Sequence, residues 1–347
     1  MPSVMPNNLS DFALDAVIPL DAGSSCALGL ISVSGADAVS FLQGQLTQDV
    51  QALPEGQARW AGYCSPKGRL SATGRLWRTQ DQIWWAVSGD LTASLAKRLS
   101  MFVLRAKAKV EDKSSQWMVL GIMGPQAHRE VAGWLQLQEI PVLGPDEVKA
   151  QTGAVMWVGL PAVQLGPEPK ASHPRSMLFI EREQIDTLPE AWRHSRSPNQ
   201  SASWKVAEVL SAIPRITAQT ADCFVPQMVN FESVDGVSFT KGCYPGQEVV
   251  ARSQYLGKLR RRMFVAQGQG LPPAPASDIL AEGQAEPVGQ VVMSASAGDG
   301  FVLLFECRTD LAVQGSLRTS RAGDSSDGAE GSLLRLLPLP YALKAQE

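Results

Sequence analysis

The sequence predicts an α+β protein of more than one domain, and three observations predict it. Its 347 residues exceed what one compact core usually encloses. Short β-like runs bounded by Gly, Pro and Asp outnumber segments of helical periodicity. A content of 44% hydrophobic and 19% charged residues describes an ordinary globular chain rather than a disordered or fibrous one. The formal net charge of −3 neither recruits nucleic acid nor forbids it. No apolar run approaches the roughly 20 residues of a membrane span, so no membrane partner is expected. The N-terminal "MPSVMPNNLSDF" lacks the basic-then-apolar pattern of a signal peptide. The five cysteines (Cys26, Cys64, Cys223, Cys243, Cys307) are odd in number and far apart, with no CxxC pair and no zinc spacing. A reducing cytoplasm is the expected location, and no metal site built by this chain alone is expected.

The elements follow in order. "CALGLISVSG" reads as a strand ending in a turn. "GADAVSFLQGQLTQDV" reads as a helix with Ser34 as N-cap and Val39, Leu42 and Leu46 on one face. "ARWAGYCSPKGRLSATGRLWRT" reads as two strands about a turn at 65–68, where Pro and Gly supply the turn chemistry. "DQIWWAVSG" is a strand whose adjacent Trp84 and Trp85 point to opposite faces, one inward and one outward. Asp90 opens a helix with Leu91, Leu95, Leu99 and Phe102 on one face. A second unit begins near 114 with the buried strand "WMVLGIMG" and a helix started by Pro125. "AVMWVGL", "AVQLG" and "RSMLFIER" add strands, an order that suggests a split β-α-β sandwich. The polar "HSRSPNQSAS" (194–203) reads as a linker or an exposed loop, and "SWKVAEVLSAIPRI" as a helix stopped by Pro214. After a Pro/Gly-rich break at 267–278, "EPVGQVVMSAS", "GFVLLFECR" and "GSLLRLLPLP" suggest a small barrel or sandwich. His173 and His194 fall in polar stretches suited to a surface role, and His128 in a helix.

The segment "TKGCYPGQEVVAR" (240–252) carries the chemistry. A thiol reacts or ligates as the thiolate, which positive charge and backbone N–H groups stabilise. Lys241 offers that charge to Cys243, Gly242 and Gly246 permit turns and close approach, and Pro245 stiffens the loop. Gln247 and Glu248 begin a return to regular structure and offer hydrogen bonds to a heterocycle, or cap a turn. Arg252 suits an anionic tail or water. On residue chemistry alone Cys243 is either a packed thiol in a turn or a functional one.

This segment, with "FLQGQLTQDV" (41–50), "YCSPKGRLSATGRLWR" (63–78), "FVPQMVNFESVDGVSFTKGCYPGQE" (224–248) and "PLPYAL" (338–343), resembles the YgfZ family, relatives of the glycine cleavage T-protein, an aminomethyltransferase. The resemblance covers about residues 26–343, with its segments in the family's order. It implies a three-domain ring about a folate pocket: an antiparallel-sheet α+β domain (1–113, completed by 201–262), a ferredoxin-like domain (114–200) and a C-terminal β-barrel (263–347). It implies tetrahydrofolate as cofactor and a role in maintaining iron–sulfur enzymes, including those that modify tRNA. Cluster-assembly proteins and tRNA are the further partners expected. Cys243 is then the functional thiol, with Lys241, Gly242, Tyr244, Gly246, Gln247 and Glu248 as its motif. Gln227, Asn230, Lys67, Arg69 and Arg252 are the candidate folate contacts.

Ser71 and Ala72 stand where the related transferases carry an acidic pair, which favours folate binding without aminomethyl transfer. A folate-dependent one-carbon transferase is the alternative. The basic residues of "SPKGRLSATGRLWR", "VLRAKAKV" and "GKLRRRM" (Lys67, Arg69, Arg75, Arg78, Arg105, Lys107, Lys109, Lys258, Arg260, Arg261, Arg262) fit solvated strand faces, a folate tail or RNA phosphates. Cys243 is expected to be the fastest thiol, with Cys64 and Cys223 as its nearest competitors.

Overall fold

Most strands are apolar on both faces and so need cover on both sides. The chain supplies it with three antiparallel sheets packed about shared helices. The computed structural model describes residues 15–21, 26–138, 143–151, 154–164, 172–194, 197–255, 259–320 and 331–344.

The chain opens with β1 (Ala16–Pro19), β2 (Leu28–Ser34), α1 (Ala38–Gln43), β3 (Ala58–Cys64), β4 (Leu70–Arg78), β5 (Gln82–Ser88), α2 (Thr92–Phe102) and β6 (Lys109–Asp112). The first sheet has the order β3-β4-β5-β2-β6. Ser34 ends β2 rather than capping α1, and Leu46 lies past that helix, bridged to Tyr63. Asp90 does not cap α2, because its carboxylate accepts the Ala218 N–H at 2.9 Å. Leu95 and Leu99 are buried, whereas Phe102 is exposed. Trp84 and Trp85 alternate as expected, yet both are buried. Trp84 meets Trp117 edge-on at 5.2 Å in the central core, and Trp85 packs with residues of α1 and α2. Neither faces water, because helices cover one face of the sheet and the second sheet covers the other.

The middle of the chain adds β7 (Trp117–Met123), α3 (Pro125–Trp134), β8 (Val148–Gln151), β9 (Val155–Gln164), β10 (Ser172–Glu181) and α4 (Glu190–His194). The second sheet has the order β1-β7-β10-β9-β8. A domain boundary at 113 would leave β1 in the first unit, but its pairing with β7 puts it in the second. The two runs expected at 154–160 and 162–166 form one strand, β9, and His173 lies in β10 rather than in a loop. Buried His128 bridges the sheet: Nδ1 lies 2.7 Å from the Gly124 carbonyl and Nε2 3.0 Å from Ser176 Oγ, with Trp157 stacked on the ring. Burial pushes His128 below its ordinary 6.5, against the Gly124 hydrogen bond. The native state therefore binds fewer protons here than the unfolded chain. The stability that depends on the neutral ring is present above about pH 6.5 and is lost as pH falls below it. Melting followed from pH 7 to 5.5 should show a loss of up to about 1.4 kcal/mol per pH unit, reduced in His128→Gln. A wild-type slope no steeper than the variant's would contradict this.

The polar tract at 194–203 is not a linker beyond its first residues. Pro198 opens α5 (Pro198–Leu210), where a missing N–H costs nothing. This helix buries Trp204, Val206, Ala207 and Val209 in a core shared by all three sheets. Gly121 of β7 admits the Trp204 ring, since a Cβ there would sit 2.8 Å from it. A long loop then leads to α6 (Gln247–Tyr255), β11 (Arg261–Gln269), β12 (Asp278–Ala281), β13 (Gly289–Ala297), β14 (Gly300–Arg308), α7 (Thr309–Gln314), β15 (Leu317–Thr319) and β16 (Arg335–Leu337). The third sheet, β15-β12-β13-β14-β11-β16, is a curled half-barrel rather than a closed barrel. A single bridge from Arg318 to Leu333 draws its edges together. No helix among the described residues is long and apolar enough to cross a membrane.

Candidate functional site

Glycines seat the cysteine loop against the first sheet. Gly246 has a φ of +77°, and a Cβ on it would lie 2.6 Å from the Gly68 backbone. Gly68, at φ +71°, ends the 65–68 turn and faces Val249 and Gly246 in the same way. Only glycine satisfies both the left-handed backbone and the contact. Tyr244 is buried, and α6 starts at Gln247, with the Gln247 N–H donating to the Tyr244 carbonyl at 3.2 Å. Between these anchors Gly242 and Cys243 remain exposed, and nothing lies within 4 Å of a Cβ built on Gly242. The expected return to regular structure at Gln247 and Glu248 is α6.

Lys241 does something other than expected. Its ammonium is buried and donates to the carbonyls of Gln43 and of Leu46 (2.6 Å), at and beyond the end of α1, beneath the Tyr244 ring at 5.2 Å. Burial pushes it down to about 8, against the attraction of Asp49. Lys241 thus fastens the loop to α1, and Lys67 is exposed on the adjoining turn. The other thiols differ. Cys64, expected to compete, is buried and pushed up to about 12 by that burial, with Asp222 adding to it. Burial also raises half-buried Cys223 and takes Cys307 to about 11.

The five candidate folate contacts do not come together. Gln227 and Asn230 are fully buried, their amides donating to the Val250 and Met263 carbonyls at 2.8 Å. Arg69 holds the Cys223 carbonyl, while Lys67 and Arg252 are exposed. None of the five lines the central cavity. Arg261 and Arg262 are engaged by Glu306 and Glu232, and Lys258 lies outside the described residues.

That cavity lies where the first two sheets meet α5. Its walls come from Leu28, Trp60, residues 73–75 and 86–88, Leu160, Arg175, Met177, Trp204, Glu208, Ser211 and residues 213–215. Arg75 is 1% exposed. It holds the Pro145 carbonyl and Asp146 (2.8 Å) and stacks on Trp60 at 4.9 Å. Burial lowers it, against the Asp146 hydrogen bond. Arg175, 3% exposed, stacks on Trp204 at 5.5 Å, and burial pushes it down to about 10. Arg75 Nε and Nη1, Arg175 Nη1, Trp204 Nε1 and Arg215 Nε are buried donors without a hydrogen-bond acceptor. Glu208 Oε2, 3.3 Å from Arg215, accepts no hydrogen bond. Buried polar groups in native proteins are normally satisfied, so this concentration makes the cavity the candidate ligand site. A groove of about 640 Å³, lined by Gln48, Arg59, Asp146 and Tyr341, adjoins it through Trp60, Ser211 and Ile213. Tyr341 closes its rim, donating to the Ala212 carbonyl at 2.7 Å.

On β4 the cavity is lined by Thr73, Gly74 and Arg75, not by Ser71 or Ala72. The Thr73 hydroxyl donates to the Pro214 carbonyl at 2.8 Å and accepts the Ile216 N–H. Ala72 is buried under α1 and α2, and Ser71 turns outward to donate to Asp222 at 2.6 Å. The sequence reading missed Arg175 and Glu208 and grouped Arg75 with cations suited to a solvated face, a folate tail or RNA. The available signal was a charge inside an otherwise apolar run: "TGRLW", "RSMLF" and "VAEVL".

The comparisons agree with this arrangement. Residues 24–156 match the model of the GCVT N-terminal domain. The tRNA-modifying protein YgfZ of Vibrio vulnificus is 31% identical over 321 residues, covering 91% of this chain and 90% of that one. YgfZ of Cronobacter sakazakii is 27% identical over 96% of both chains. The crystal structure of glycine cleavage system aminomethyltransferase T from Bartonella henselae superposes with a TM-score of 0.66 at 15% identity, covering 96% of this chain and 88% of that one, and so shares the fold. With relatives this similar along nearly its whole length, the chain belongs to the YgfZ family of tRNA-modifying proteins.

Proposed function

We propose that this chain is a folate-binding accessory protein that supports the assembly, repair or maintenance of iron–sulfur clusters in enzymes, including those that modify tRNA, with Cys243 as its working thiol. The observation that carries the reading is the buried cavity in which several donor atoms and one carboxylate oxygen lack hydrogen-bond partners. A pterin matches this set: its carbonyl and ring nitrogens accept from Arg75, Arg175 and Trp204, and its amino group donates to Glu208. Trp60 and Trp204 offer aromatic faces beside a flat ring. The adjoining groove has room for an extended tail. Tetrahydrofolate bound there would supply a reduced pterin able to carry one-carbon units. The chain's own part is to orient that ring and keep water from it.

Cys243 stands outside the cavity lining, on a loop held by Lys241, Tyr244 and Gly246. One thiolate cannot hold a four-thiolate cluster. Among the described residues no group of three or more His, Cys, Asp or Glu is placed to hold a metal. A cluster meeting Cys243 would therefore take its other ligands from a client protein or a small thiol. One observation favours a folate-dependent one-carbon transferase instead: Glu208 puts a carboxylate in the cavity. Against it, Thr73 faces the cavity with its hydroxyl already committed.

Calorimetry with tetrahydrofolate should give saturable binding, and no heat at millimolar ligand would remove folate from the reading. Turnover with glycine cleavage partners at the rate of a T-protein would select the transferase. A cluster-stability assay on a tRNA-modifying iron–sulfur enzyme, with wild type and Cys243→Ser, tests the thiol.

A further inference from the structure

The end of α2 presents a surface that neither the cavity nor the cysteine loop uses. Met101 is 67% exposed, Phe102 46% and Leu104 86%. Leu104 also has a φ of 46°, a left-handed conformation that a branched side chain rarely adopts and that here buries nothing. Around these apolar groups the chain's own charges are basic. Residues 91–110 contain Lys97, Arg98, Arg105, Lys107 and Lys109 and no acidic residue, in a chain of net charge −3. Lys109 pairs with Glu111 at 2.9 Å. The nearby carboxylate of Asp37 is taken by the Lys107 backbone N–H at 2.7 Å. Among the described residues no ion pair engages the exposed side chains of Lys97, Arg105 or Lys107. Arg98 lies 6.0 Å from the Phe102 ring centroid and donates to Tyr63 Oη at 3.1 Å. No basic residue lies in the last turn of α2, so the helix dipole does not account for these cations, nor for three exposed apolar residues or the conformation of Leu104.

We propose that this surface contacts RNA, with Lys97, Arg105 and Lys107 on phosphates and Phe102, flanked by the Arg98 guanidinium, stacking an unpaired base. Exposed cations without ion-pair partners match a polyanion, and an aromatic face beside an arginine is how single-stranded nucleotides are held. The inference rests on the tRNA-related reading of the family and is independent of folate. The surface is tied to the motif loop by contiguous contacts: Arg98 to Tyr63, Tyr63 bridged to Leu46, and the Leu46 carbonyl to Lys241. RNA bound there would therefore lie against the domain that presents Cys243.

The test is fluorescence anisotropy with unfractionated tRNA across a salt series, using the full chain. Wild type should bind saturably at low salt. The triple variant Lys97→Ala, Arg105→Ala, Lys107→Ala should lower the salt slope by about two. Phe102→Ala should weaken binding about 10-fold and leave that slope unchanged. Melting temperature and tetrahydrofolate binding, measured on the same preparations, should not move. Absence of tRNA binding by a wild type that still binds folate overturns the RNA surface alone and leaves the folate reading standing. Equal binding by Phe102→Ala, with heparin competing as well as tRNA, would reduce the surface to general charge and also overturns it. Loss of iron–sulfur enzyme support in cells by Leu104→Asp, with tRNA binding intact, would assign the surface to a protein partner instead.

Discussion

Replacing Arg175 with methionine should make the protein more stable and much poorer at holding its ligand. The guanidinium is almost wholly buried, with one nitrogen lacking any acceptor. Its fall from 12.5 to about 10 reflects burial, only partly offset by Glu208. A displacement of that size corresponds to a cost on the order of 3 kcal/mol for keeping the charge inside the fold. Methionine fills similar volume without charge, and replacements of buried ions by packed apolar groups are often stabilising by about 1–4 kcal/mol. The same change removes a charged donor from the proposed pterin site, a loss of about 10- to 100-fold in affinity. Thermal unfolding and calorimetry on one preparation decide the matter. A lower melting temperature with unchanged tetrahydrofolate affinity would make Arg175 a structural residue and take away the main support for the cavity's role.

Cys243 should be alkylated at least 100-fold faster than Cys64 at about pH 8. At a pKa of about 12, Cys64 keeps roughly one thiolate in ten thousand at that pH, and it is buried besides. Cys307, at about 11, keeps roughly one in a thousand and is also buried. Cys26 is buried, and half-buried Cys223 is raised by the same effect. Cys243 is the exposed member of the five. Timed alkylation with peptide mapping ranks them, and Cys223 is the runner-up to watch. Cys243→Ser should change stability by no more than about 0.5 kcal/mol, as for an exposed site without a packing role. It should nonetheless lose its support of iron–sulfur enzymes. A slow Cys243, or a variant that fails to fold, would return the loop to a structural turn.

The strands and the motif were legible because their signals are local. Turn residues at 65–68, alternation along 81–89 and the glycines around Cys243 each report on their own neighbourhood. Pro198 could have announced α5, but the surrounding Ser, Asn and Gln hid a helix whose buried face begins only at Ser203. What stayed hidden was pairing at long range. Arg75 looks solvated until Asp146, from a loop of the second unit, reaches it. Lys241 looks like an activator of the thiol until its acceptors prove to be backbone carbonyls of residues 43 and 46. Backbone acceptors leave no trace in a side-chain pattern. Ala72 lies off the cavity because a strand alternates faces, so the neighbour of Thr73 points to the opposite side.

The scattered origin of the cavity walls bears on how the protein is made. Leu28 and Trp60 leave the ribosome early, but Glu208 and Arg215 emerge only after three-fifths of the chain has been translated. The Arg215 backbone N–H then waits for the sulfur of Met293, 3.2 Å away in the finished fold, and the rim waits for Tyr341. A nascent chain thus carries Arg75 long before α5 and the segment after it enclose it. The ligand cannot template the early sheets, and it can select only molecules in which the later walls have folded. Products that stop before Glu208 and Arg215 lack those walls, so occupancy by the ligand would report chains that have passed this point rather than total synthesis.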